Sequence, residues 1–141
     1  MGSDVDTARP LPEPTPVTQP FWDAARRHEL TFPQCRSCDK AFFPPHWCCP
    51  FCRSDDWSWQ VSAGVGTLYS HTVVHRAPQP GFDPPYVIGV IDLDEGFELM
   101  SNVVGIDPAD VTIGMRMRVT WLAAGDFVLP VFEPDRSQEA L

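Results

Sequence analysis

Lysine is nearly missing from this 141-residue chain: Lys40 stands alone beside nine arginines, and ten basic residues face nineteen acidic ones for a formal net charge of -9. Nucleic-acid binding is dominated by cations that neutralise phosphates, so this balance argues against a nucleic-acid partner. No stretch approaches the roughly eighteen uninterrupted apolar residues of a membrane span. No apolar leader follows Met1, so a reducing, cytoplasmic setting is expected. Also missing are a nucleophile elbow, a glycine loop able to cradle phosphate and a paired-histidine HExxH motif, which leaves independent catalysis unexpected. Sixteen prolines and nine glycines disfavour long helices and favour turns and short strands.

What is present is a cysteine pattern. Cys35-Arg-Ser-Cys38 and Cys49-Pro-Phe-Cys52 are two C-x-x-C knuckles separated by ten residues. That spacing can bring four sulfurs around one tetrahedral ion, as in zinc ribbons. Two disulfides would need an oxidising compartment, and redox dithiols come as one pair per domain. Iron in a rubredoxin-like site uses the same four-thiolate geometry and stays open as an alternative to one structural Zn ion. Cys48 precedes Cys49 directly, but the C-x-x-C spacing to Cys52 selects Cys49. Cys48 is then expected to be a buried, small apolar residue, with His46 a less favoured ligand.

Residues 1–19 alternate proline with polar residues at Pro10, Pro12, Pro14 and Pro16 and are expected to form a tail. Thr18 and Pro20 open a short amphipathic helix, about 20–29, with Phe21, Trp22, Ala25 and His28 on one side. Its aromatic pair must pack either on its own domain or on a partner. The segment 20–61 then carries the ribbon, with Phe32, Phe42, Phe43, Trp47, Phe51, Trp57 and Trp59 near the knuckles. These are more aromatics than a small metal lobe can bury, so some should face the next domain or a partner.

From 62 to 134 the pattern turns to strands: Val65–His75, Tyr86–Leu93, Phe97–Val104, Met115–Leu122 and Phe127–Phe132, with a tight turn at Asp94-Glu95-Gly96 and a helical turn from Pro108 to Val111. Five strands with the helical turn between the third and fourth suit a Greek-key barrel of the OB type. The fold class is therefore mainly β: an N-terminal helix, a rubredoxin-like zinc ribbon, a five-stranded OB-fold barrel and a polar tail at 135–141.

Across about 18–134 the chain resembles the zinc-ribbon plus OB-fold family known as domain of unknown function 35. The resemblance rests on Pro20-Phe21-Trp22, Cys35-x-x-Cys38, Pro44-Pro45 and Cys49-Pro50-x-Cys52. It continues through Thr72-Val73-Val74-His75-Arg76, Pro85-Tyr86-Val87, Leu93-Asp94-Glu95-Gly96 and Gly114-Met115. Asp39 departs from the glycine usual after the second cysteine, which suggests a somewhat different first turn. His46 replaces the usual arginine and puts any role of that arginine in doubt.

The resemblance implies an accessory subunit of thiolase-superfamily proteins, either acyl transferases or aldolases that shorten steroid side chains, or of hotdog-fold hydratases, with the catalytic residues on the partner. A heterotetramer or larger heteromer is expected, with acyl-CoA at or near the interface. Retro-aldol cleavage of a steroid side-chain CoA thioester is the leading expectation; thiolase-type acyl transfer or hydration is the alternative. A single-stranded nucleic-acid module is an alternative of another class, disfavoured by charge. The expected interface aromatics are Phe21, Trp22, Phe43, Trp47 and Trp57. Coenzyme A needs a local cation and flat apolar surfaces, so Arg76 with Phe82 and Tyr86, beside the proline-rich loop 77–85, is where contact is expected; a simple surface ion pair is the other reading of Arg76. His71 and His75, four apart on one strand, point to the same face about 13 Å apart, too far to share a metal ion.

Overall fold

Short runs of alternating apolar residues, cut by glycine and proline, set the strand pattern of the computed structural model, which describes residues 10–78 and 81–136. Residues 1–9 of the expected tail 1–19, residues 137–141 of the tail 135–141, and Pro80 of the proline-rich loop lie outside the described residues. In chain order the elements are α1 (Gln19–Arg26), β1 (Thr31–Cys35), β2 (Trp57–Val61), β3 (Val65–Val74), β4 (Tyr86–Leu93), β5 (Glu98–Val103), a 3-10 turn at Pro108–Asp110, β6 (Arg116–Ala124) and β7 (Phe127–Pro134). Strands β1 and β2 pair antiparallel from Thr31↔Val61 to Cys35↔Trp57, so the metal knuckles hang from the far end of a two-stranded ribbon. The other five strands close a barrel in the order β3-β4-β5-β7-β6, as expected of an OB-fold.

Several boundaries differ from expectation for local reasons. Helix α1 stops at Arg26 because His28 takes φ 60 and turns the chain away, stacking its ring on Trp121 at 5.4 Å. Thr18 sits at the N-cap, but its hydroxyl accepts from the Thr15 amide at 2.8 Å instead of capping the helix. The last part of the expected tail thus forms a hydrogen-bonded turn leading into α1. Strand β6 runs on to Ala124, which leaves only Gly125 and Asp126 in the hairpin turn. Gly125 supplies the positive φ, 58°, that so tight a turn requires. A bulge between Leu68 and Ser70 pushes Tyr69 outward, and His75 falls beyond the end of β3, so the two histidines are not one strand pair. His71 lies opposite Gly89, and its Nδ1 is buried without a hydrogen-bond partner.

Leu68, Ile91, Met117 and Phe132 fill the barrel, all at 0% exposure. The core does not end at the barrel wall. Phe32 of β1 stacks on Phe97, just before β5, at 4.6 Å, and Phe43 lies 5.9 Å from the same ring. This accounts for part of the aromatic excess: ribbon and barrel share one apolar cluster. The join is also tied by polar groups. Glu95 accepts from the Ser62 hydroxyl at 2.7 Å and from the Ala63 amide at 2.8 Å, while Ser62 Oγ accepts from Gly64 at 2.9 Å. The turn read as Asp94-Glu95-Gly96 is therefore a clasp as well.

Phe97→Ala should remove the shared stack and lower stability by about 3–5 kcal/mol, measured by denaturant unfolding, which is the usual cost of emptying a buried phenylalanine site. Next to the clasp, Arg116 donates to both Asp94 oxygens at 2.9 and 2.7 Å and holds that carboxyl below its ordinary value of 3.8. A depressed carboxyl contributes stability that is present above pH 3.8 and lost as pH falls through the lower folded value. With side chains 36% and 47% exposed, solvent screening reduces the pair to about 0.5 kcal/mol. Asp94→Asn should therefore lower stability near neutrality by about 0.5 kcal/mol, flatten the acid limb below pH 3.8, and converge with the unmodified chain once that carboxyl is protonated in both states.

Candidate metal centre and the apolar groove beside it

Cys35 closes β1, and the chain turns back over it so that the amides of Ser37 and Cys38 donate to its Sγ at 3.3 and 3.4 Å. The second knuckle repeats the arrangement, with the Phe51 amide donating to Cys49 Sγ at 3.4 Å. Each knuckle is followed by a left-handed residue, Asp39 at φ 65 and Arg53 at φ 66. Asp39 thus adopts the left-handed conformation that favours glycine, and the first turn closes as the second does at Arg53.

The knuckles face each other with Cys35 Sγ 3.5 Å from Cys52 Sγ and Cys38 Sγ 3.7 Å from Cys49 Sγ. All four sulfurs lie within 4.8 Å of one another. A tetrahedron with metal–sulfur bonds of about 2.3 Å has edges of about 3.8 Å, so the four residues fit one such ion with no coordination position left open.

Electrostatics point the same way. Amide donation from Cys38 and then Ser37 brings the Cys35 thiol down to about 7, against the opposing effect of burial. At Cys52 the amide of Ser54 favours the thiolate, but the surrounding sulfurs and burial outweigh it and push the thiol up to about 12. Four thiolates this close repel one another, and a divalent cation removes that repulsion.

Cys48 is exposed rather than buried, because the turn that aims Cys49 inward leaves its neighbour on the outside. His46 stacks on Phe42 at 6.4 Å and is not part of the sulfur cluster. Trp57 donates its Nε1–H to the Trp47 carbonyl at 3.0 Å, bracing the approach to the second knuckle.

Of the expected interface aromatics, Phe21 is buried against this chain's own core, and Trp22, Phe43 and Trp57 are half-buried. Trp47 is 71% exposed. Phe21, Trp22 and Phe43 come together at the wall of an apolar groove of about 400 Å³, completed by Pro44, Pro45, Met100 and Pro130. Two separate matching stretches of the family resemblance, Pro20-Phe21-Trp22 and Pro44-Pro45, thus meet at one groove. Met100 and the edges of β5 and β7 carried no signal in the sequence, since nothing there tells which strand edges lie apart.

Of the expected coenzyme-contact residues, Phe82 and Tyr86 line one hollow and Arg76 does not. Phe82 and Tyr86 stack at 5.5 Å above a smaller hollow of about 190 Å³. Arg76 is exposed and not among the residues lining it, and the charged group there is the Asp83 carboxylate. The proline-rich loop therefore brings an anion, not a cation, to the stacked rings.

Residues 22–58 match the family model described as "ChsH2, rubredoxin-like zinc ribbon domain", and residues 59–122 match "ChsH2, C-terminal OB-fold domain". A DUF35 domain-containing scaffold protein of Methanocaldococcus jannaschii is 35% identical, the match covering 67% of this chain and 69% of that protein. The chain belongs to the DUF35 family. A "probable enoyl-CoA hydratase alpha subunit" of Thermomonospora curvata is 42% identical over 84% of this DUF35 chain, and a "3-oxo-4,17-pregnadiene-20-carboxyl-CoA hydratase alpha subunit" of Mycobacterium tuberculosis is 38% identical over 82% of it. The chain spans only 38% and 37% of those two relatives. Among solved structures, a chain of "Ltp2-ChsH2(DUF35) aldolase" superposes with a TM-score of 0.81 at 38% identity, covering 88% of this chain and 98% of that one.

Metal analysis of the purified protein should find one ion per chain. Cys38→Ser and Cys49→Ser should lose it and unfold the ribbon, while Cys48→Ser keeps it. Affinity should fall as pH is lowered, because protons compete for thiols whose metal-free values include about 7 at Cys35 and about 12 at Cys52. Equal metal loss in all three variants would contradict the ligand assignment.

Proposed function

We propose that this chain is a non-catalytic accessory subunit that binds a thiolase-superfamily partner and supports that partner's acyl-CoA chemistry. The observation that carries the reading is the likeness to the DUF35 chain of the Ltp2-ChsH2 aldolase, which extends over 98% of that chain. The chemistry of the described residues supports it. The sole cluster of three or more potential metal ligands among the described residues is the closed cysteine set, which has no position for substrate or water.

Within this reading the leading reaction is retro-aldol cleavage of a steroid side-chain CoA thioester, with every bond-making group on the partner. The acyl-CoA is read at or near the interface, with the exposed Arg76 and the stacked Phe82 and Tyr86 as this chain's contacts and further cations supplied by the partner. The assembly is read as a heterotetramer or larger, in the cytoplasm. No helix among the described residues is long and apolar enough to cross a membrane. A hydratase complex is the second reading, favoured by the two relatives named as hydratase alpha subunits.

Co-expression with a thiolase-like protein from the same source should give a stable mixed complex. The complex should act on acyl-CoA, and the isolated chain should turn over nothing. A β-hydroxyacyl-CoA separates the two reactions: carbon–carbon cleavage supports the aldolase, and reversible loss of water supports the hydratase. Acyl-CoA cleavage by the isolated chain would overturn the accessory role.

A further inference from the structure

The wall of the barrel is split between β5 and β7. Their single registered pair is Val103↔Phe132, continued by the Val104 amide donating to Phe132 at 2.8 Å. Below that point Leu99–Asn102 and Leu129–Val131 frame the apolar groove, bridged by one side chain, Ser101 Oγ donating to the Pro130 carbonyl at 2.7 Å. The groove is continuous with its neighbours. It shares Phe43, Pro44 and Met100 with a hollow on the Glu98 side, and Asn102 with the hollow beneath Phe82 and Tyr86. The result is a track along the outside of β5.

Charge decides what suits that track. Asp83 lies at one end and Glu98 at the other, both exposed, and among the described residues no basic side chain lines any of the three hollows. An anionic ligand would find no counter-charge there. Between the two carboxylates the surface is apolar and adaptable, with Met100 at 71% exposure. Resting on the accessory-subunit reading, we infer that this track is the docking site for an extended apolar segment of the partner subunit flanked by basic residues. Apolar side chains fill the groove beside Trp22 and Met100, and the flanking cations meet Asp83 and Glu98.

The test uses the mixed complex. Met100→Arg and Glu98→Lys change exposed side chains and should leave the melting temperature unchanged. Each should weaken partner binding in solution titrations by more than about tenfold, and raising the salt should narrow the Glu98→Lys effect. Ile113→Arg, at a residue 61% exposed but outside the track, should bind as the unmodified chain does. A photo-crosslinker at position 100 should capture a partner segment that is apolar and bounded by lysine or arginine. If the unmodified complex forms and both track variants bind normally, or the crosslink maps to an acidic segment or a second copy of this chain, the docking site is wrong and the accessory role stands. If the unmodified chain forms no complex, both fall together.

Discussion

Four sulfurs held within 4.8 Å of one another set the condition on which the ribbon depends, because that many thiolates need a cation between them. The backbone has prepared for it: amides of Ser37, Cys38 and Phe51 already point at sulfur, and each knuckle turns through a left-handed residue. With the ion in place, β1 and β2 are fixed at their far end, and Phe32 is delivered to the barrel in one orientation. Without it, the loop between Cys35 and Trp57 is left to the strand pair and to scattered contacts such as the Trp57 Nε1–H to the Trp47 carbonyl and Phe43 against Phe97.

That delivery makes ribbon and barrel a single unit. Phe97 sits between Phe32 and Phe43, and Glu95 two residues earlier grips the connection at Ser62 and Ala63. The apolar groove inherits its shape from this join. One wall is α1 and the Phe43-Pro44-Pro45 segment of the ribbon; the other is the parted edge of β5 and β7. Metal, aromatic stack and groove are linked in that order, which gives a structural ion consequences at a surface it does not touch.

Much of this was legible in the sequence. The C-x-x-C pairs declared the metal set by spacing alone, and the strand pattern with its helical turn gave the barrel, β4 to the residue. Local features that depend on one turn were not legible. The exposure of Cys48, the early end of α1 at Arg26 ahead of the left-handed His28 and the bulge at Tyr69 each follow from a single backbone angle or an unpaired residue that composition does not encode. Which charge meets the stacked rings was not legible either: Asp83, not Arg76, lines the hollow beneath Phe82 and Tyr86, and sequence spacing does not tell which side chain turns into it. The groove could not be read at all, since it exists only where two strands distant in the chain draw apart.

In the proposed function the metal is part of a scaffold and the reacting groups lie on the partner. The most direct test is to replace zinc by cobalt in the mixed complex and measure turnover together with the visible absorption of the cobalt site. The account predicts a spectrum of tetrahedral four-thiolate cobalt and an unchanged rate. A rate that follows the identity of the metal would contradict it, and would move the ribbon from scaffold to chemistry.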